Sequence, residues 1–133
     1  MSDVESPTPE QEQILREEQI GVLGTLRRDG SPQLTPVNYA YLDGRILIST
    51  TRDRAKYLNV RRNPLVSLCV VRAGGRPYVS VFGRASIEER DVEAGTAEIA
   101  RRMSGRPLPE HFAELLRQQR RVLIIVTPER FVP

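Results

Sequence analysis

The segment IGVLGTLRRDGSPQLTPVNYAYLDGRILIST, which starts at Ile20, constrains the fold of this chain more than any other part of it. Its apolar runs are separated by Asp29-Gly30 and Asp43-Gly44. An Asp-Gly pair between apolar runs is the strongest short-range signal for a β-hairpin, because both residues accept the positive φ that a tight turn requires. The segment therefore predicts a meander with strands over about 20–27, 32–42 and 45–50.

The next stretch, TRDRAKYLNVRRNP, loses the alternation of a strand and gains helix formers. Asp53 is placed to cap a helix that Pro64 ends by disfavouring helical geometry at Asn63. A strand LVSLCVVR (65–72), the turn AGGRP and a strand over about 78–87 follow. Helical patterns come next at about 88–102 and 109–119, and a short one at about 9–19 precedes the meander. RVLIIVTPERFV reads as a buried closing strand interrupted at Pro128. Residues 1–8 read as a disordered lead, and 9–133 as a single domain. The predicted fold class is mainly β with peripheral helices: a six-stranded antiparallel barrel with helices packed against it or plugging it.

Composition removes several kinds of chemistry. With one cysteine, Cys69, and one histidine, His111, the chain has no internal disulfide and no zinc-type cluster of its own. Cys69 lies within the apolar run LVSLCVV and reads as an inert thiol; His111, in PEHFAELLRQQ, reads as a surface residue. A Ser-His-Asp arrangement would have to use that histidine. No apolar run reaches the ~20 residues of a membrane span, and the polar, acidic start is neither a signal nor a transit peptide. A cytoplasmic protein without metal or membrane attachment is the expectation. The net charge of +3 favours anions without singling out nucleic acid, and no stacking-aromatic motif accompanies the basic segment.

The basic helix is where chemistry concentrates. Lys56 is the one lysine among 20 lysines and arginines. With Asp53 as the cap, Arg54 and Lys56 fall in the first turn, where unpaired N–H groups and the helix dipole favour an anion. Asn59 follows on the same face, while Ala55 and Leu58 form a separate stripe expected to dock on the barrel. Arginine grips phosphate bidentately and lysine acts as a point charge, so Arg54, Lys56 and Asn59 form a candidate phosphate clamp. In PQLTPVNYA, Gln33, Thr35 and Val37 point to one face and Leu34, Pro36 and Asn38 to the other. Pro36 marks an edge or a bulge. The strand reads either as a wall for a flat polar heterocycle or as an ordinary edge strand.

The ordered set G-V-L-x-T, D-G-x-P-Q-L, R-A-K and N-x-R-R-x-P resembles the flavin-reductase-like split β-barrel superfamily. This group includes the pyridoxamine 5′-phosphate oxidases, and the nearer likeness is to its deazaflavin, coenzyme F420-dependent branch. The resemblance is detailed from about Ile20 to Arg72 and looser to the last strand. It implies a homodimer with cofactor sites between the subunits. Arg54 and Lys56 would hold the cofactor phosphate, with Ala55 and Asn59 alongside. Ser49 and Thr50 would meet the ribityl chain or phosphate, and Gln33, Thr35, Pro36 and Val37 the ring. Tyr78 would reach in from the other subunit. The implied activity is hydride transfer from reduced F420 to a small electron-poor organic substrate, with no catalytic side chain assigned. The alternatives are an FMN-binding enzyme of the pyridoxamine-phosphate-oxidase type and a non-catalytic flavin or deazaflavin carrier. Arg27, Arg28, Arg61 and Arg62 are further cations suited to an anionic cofactor tail.

Overall fold

The structure is a computed structural model, and it describes residues 4–133. The strands β1 (Ile20–Leu26), β2 (Pro32–Asn38), β3 (Ala40–Leu42), β4 (Arg45–Thr51), β5 (Leu65–Val71), β6 (Tyr78–Glu88) and β7 (Arg121–Val132) form a 7-stranded sheet in the order β2-β1-β5-β6-β7-β4-β3. Every pairing is antiparallel. The helices are α1 (Pro9–Glu17), α2 (Ala55–Arg62), α3 (Glu93–Ser104) and α4 (Phe112–Gln118).

The expected count of six strands becomes seven because the run over 32–42 breaks at Tyr39. Residues before it pair with β1 and residues after it with β4. These partners lie toward opposite ends of the strand order, so one straight strand cannot serve both. Tyr39 is the pivot: its N–H donates to the Gln19 carbonyl (3.1 Å) and its hydroxyl to the Leu15 carbonyl (2.8 Å). The two outermost strands of the sheet are thus chain neighbours, and the sheet curls into a split barrel.

Both Asp-Gly turns form. Asp43 and Gly44 have φ of 52° and 75°, as a two-residue hairpin of the primed type requires. Gly30 also has positive φ, while Asp29 accepts hydrogen bonds from the N–H and hydroxyl of Ser31. Inside the curl, Leu23, Leu68, Val81, Ile48 and Ile124 meet, and α1 contributes Ile14 and Leu15 to the same core. A second cluster, Ala40, Leu47, Ile99 and Leu123, seats α3 on the outside of the sheet. Gly95 permits this approach: a Cβ there would come within 2.6 Å of Leu123 Cδ1.

Several expectations are corrected. Asp53 does not cap α2; Arg54 occupies the N-cap position without a side-chain cap, and the Asp53 carboxylate accepts from the Thr51 hydroxyl instead. The face of α2 that docks carries Tyr57 and Val60, whereas Ala55 and Leu58 are exposed. The larger apolar surface of Tyr57 and Val60 decides which stripe is buried. Pro128 does not interrupt β7, since the ladder slips by one residue opposite Phe82 and Gly83 to accommodate it. Helix α3 begins only at Glu93, because β6 runs on to pair Glu88 with Leu123. Of the lead expected over 1–8, residues 1–3 lie outside the described residues. Within the remainder, the Glu5 N–H donates to the Glu129 carbonyl (2.8 Å), and Thr8 forms a capping box with Gln11.

Candidate functional site

A cleft of about 520 Å³ opens between the β2–β4 side of the barrel and the α3–α4 arm. Pro36, Val37 and Asn38 of β2 and Ser49 of β4 form one wall. Ile99, Met103, Leu108, Phe112 and Leu115 of the arm form a largely apolar opposite wall. The cations at the cleft are Lys56, Arg106 and Arg121, and its lining holds no carboxylate, histidine, thiol or phenol.

The alternation of each strand accounts for its contribution. On β4, Ile46, Ile48 and Thr50 turn inward, so Ser49 faces the cleft, where its Oγ accepts from the Thr96 hydroxyl of α3 (3.2 Å). On β2, Val37 is buried and Leu34 is 70% exposed, as the period-2 reading requires. Pro36 sits on an edge strand, where its missing N–H costs no ladder bond.

Lys56 is the electrostatic centre of the cleft. Its ammonium is held below the ordinary lysine pKa of 10.5, first by burial and then by the nearby charges of Arg54 and Arg121. Among the described residues, none of these three cations forms an ion pair. Each element of that arrangement disfavours the charged amine, and an anion placed there would reverse the effect.

The residues expected at the site divide into two groups. Pro36, Val37, Ser49 and Lys56 line the cleft, with Arg54 beside Lys56 at the start of α2. Gln33, Thr35, Thr50, Ala55, Asn59 and Tyr78 do not line it. Asn59 is 5% exposed and committed elsewhere. Its amide donates to Thr25 Oγ1 (3.0 Å) and Gln33 Oε1 (3.2 Å), while its Oδ1 accepts from Arg62 (2.7 Å). Asn59 therefore ties α2 to β1 and β2, and Gln33 belongs to that tie. Thr50 faces the interior, and among the described residues its hydroxyl has no hydrogen-bond partner. Tyr78 starts β6 opposite Val71, on the outward face of the sheet. Of the further arginines, Arg62 is engaged by Asn59 and Arg61 lies over the Tyr57 ring at 5.8 Å.

The α3–α4 wall, with Arg106 and Arg121, was not anticipated from sequence. Only the amphipathic patterns at about 88–102 and 109–119 hinted that two helices there needed a surface to cover. Among the described residues there is no group of His, Cys, Asp and Glu able to hold a metal, and no helix long and apolar enough to cross a membrane.

With this geometry in hand, the comparison with known families is decisive: residues 7–132 match the family described as pyridoxamine 5′-phosphate oxidase. The chain belongs to that family. Similar solved structures of the pyridoxamine 5′-phosphate oxidase fold include a protein described as an F420 reductase. That protein is 27% identical, with 96% of this chain and 98% of the other covered at a TM-score of 0.78. A conserved hypothetical protein from Mycobacterium tuberculosis is 26% identical, covering 98% and 86% of the two chains at a TM-score of 0.82. An FAD-binding protein from Mesorhizobium loti, 21% identical over 95% and 92% of the chains, shares the fold at a TM-score of 0.71.

Proposed function

We propose that this chain is a coenzyme F420-dependent reductase that passes a hydride to a small electron-poor organic substrate. The observation that carries the reading is a cleft with three cations and no carboxylate, walled by apolar side chains. The lining contains no usual nucleophile or acid–base pair, so the hard chemistry falls to a bound molecule while the protein binds and orients it. The similarity to an F420 reductase supports the deazaflavin over FMN.

The residues present fit such a cofactor. A volume of about 520 Å³ lies within the usual range for small-molecule sites. Lys56, with Arg54 and Arg121 nearby, suits a phosphate, and Pro36 offers an apolar face to a ring. When bound, reduced F420 supplies the hydride. Lys56 provides a point charge that a phosphate would hold protonated. Ile99 and Phe112 would lie against the apolar part of the cofactor, and displacing water there on binding strengthens nearby charge interactions. No side chain is needed as proton donor, since solvent reaches the open cleft.

We also infer a homodimer. Val22, Leu34, Leu65, Val71, Tyr78 and Phe82 are exposed on the outward face of β2-β1-β5-β6. A contiguous exposed apolar face of this kind marks an association surface. Strand β2 carries both Leu34 of this face and the Pro36–Val37 wall of the cleft, so a partner docked there would adjoin the cleft and bring Tyr78 close.

Side-by-side calorimetric titration of the protein with F420 and FMN tests the assignment. Preferential F420 binding is expected, and binding of FMN alone would overturn it. Turnover of reduced F420 with a panel of enones, quinones and nitro compounds then separates reductase from carrier.

A further inference from the structure

A second basin of about 310 Å³ lies beyond Arg121, between the turn that follows β6, the C-terminal part of α4 and the start of β7. Its walls carry the guanidinium side chains of Arg52, Arg90, Arg117, Arg120 and Arg121. Against these five cations stand two carboxylates, Glu89 and Glu93. The local excess therefore equals the formal +3 of the whole chain. Pairing does little to neutralise it. Arg52 meets Glu89 at 3.9 Å, and among the described residues the other four arginines make no ion pair.

Helix capping explains only part of this cluster. Arg117 and Arg120 stand at the C-terminal end of α4, where exposed carbonyls favour cations. Arg52, Arg90 and Arg121 arrive from other elements and owe nothing to that dipole. One further feature sets the cluster apart. Arg120 follows the C-cap of α4 with φ of 54°, the left-handed region where glycine is the usual residue. An arginine at a position that favours glycine, beside Arg121, adds charge to the basin where backbone preference does not select it.

We propose that this basin is a second anion-binding site, adjoining the cofactor cleft, which takes a small multivalent oxyanion. Several guanidiniums converging from different elements can each form bidentate bonds to carboxylate or phosphate oxygens. A monovalent anion would leave most of them unmatched. Arg121 and Leu116 border both the basin and the cleft, so an anion bound in the basin also alters the field at Lys56.

The test uses the full chain without cofactor, so it stands apart from the F420 assignment. Calorimetric titrations with citrate and with tripolyphosphate, at matched ionic strength, distinguish carboxylate from phosphate chemistry; acetate is the monovalent control. Saturable binding of either multivalent anion, with acetate inert, is expected. The Arg90→Gln/Arg117→Gln double variant, altered at two exposed positions, should weaken that binding at least about tenfold. Arg120→Gly supplies the sharper readout, because it removes a cation while relieving the left-handed backbone. Its Tm should hold or rise while anion binding falls. Equal heats for acetate and citrate, or binding undiminished in both variants, would overturn the proposal.

Discussion

Replacing Asn59 by alanine separates two roles that one residue could hold. As a cofactor ligand, Asn59 would affect affinity and leave the fold untouched. The structure makes it a tie between α2 and the sheet, so its loss should appear in stability. Thr25 is 1% exposed, and among the described residues the Asn59 amide is the one hydrogen-bond partner of its hydroxyl. Leaving a buried hydroxyl unpaired costs about 1–3 kcal/mol. The part-buried Gln33 and Arg62 contacts together add roughly 0.5–1 kcal/mol. A total of about 2–3 kcal/mol follows. For 133 residues, unfolding entropy near Tm is about 0.28 kcal/mol per kelvin, so Tm should fall by roughly 7–11 °C. Urea unfolding followed by circular dichroism should give a lower midpoint with an unchanged m-value. Thr25→Val removes the hydroxyl, so the double variant should be less destabilised than the sum of the single ones. An unchanged Tm in Asn59→Ala, together with weakened cofactor binding, would refute this assignment and restore Asn59 to the cofactor clamp.

Gly83→Ala should be among the costliest single substitutions, because its Cβ would meet the backbone of Thr127 and Pro128, which cannot rotate away. A loss of about 3 kcal/mol is expected by thermal or urea unfolding. Lys56 should give an alkaline signature. Between its lowered folded pKa and the 10.5 of a free lysine, the unfolded chain binds the proton that the folded chain has released. Stability should therefore rise with pH across that window, and Lys56→Met should abolish the rise. Binding of a phosphate-bearing cofactor should weaken over the same window, and Lys56→Met should reduce it about tenfold at neutral pH. Arg102 donates to the carbonyls of Leu15, Arg16 and Glu18 and lies 5.1 Å from the Tyr39 ring centroid. Arg102→Ala should cost about 2 kcal/mol, and hydrogen exchange should show α3 and the end of α1 loosening together.

The sheet was legible where local chemistry determines it. Asp29-Gly30 and Asp43-Gly44 marked their turns, and the alternation through Gln33, Thr35 and Val37 identified the inward face. The break at Tyr39 was not legible, because it is set by which distant strands the two halves meet. The cap of α2 was misread for a related reason: Asp53 had a competing donor in Thr51, which a propensity rule cannot weigh. At the candidate site, the placement of Lys56 at the start of α2 was legible, and the structure sets it on the cleft with Arg54 beside it. Asn59 shared a helical face with Lys56 in sequence, yet Thr25 and Gln33 claim its side chain from strands far along the chain. Arg106, Phe112 and Arg121 lie in segments with no local motif and join the cleft only through the docking of the α3–α4 arm.

The position of β7 has a consequence for synthesis. The strands made before it form two separate sets, β2-β1-β5-β6 and β4-β3, and β7 pairs with β6 on one side and β4 on the other. Until residues 121–132 leave the ribosome, β4 and β6 each present an unpaired edge. Such edges recruit strands from other chains. The nascent protein is therefore most exposed to aggregation just before its sheet closes, and a ribosome-associated chaperone would act most usefully in that interval.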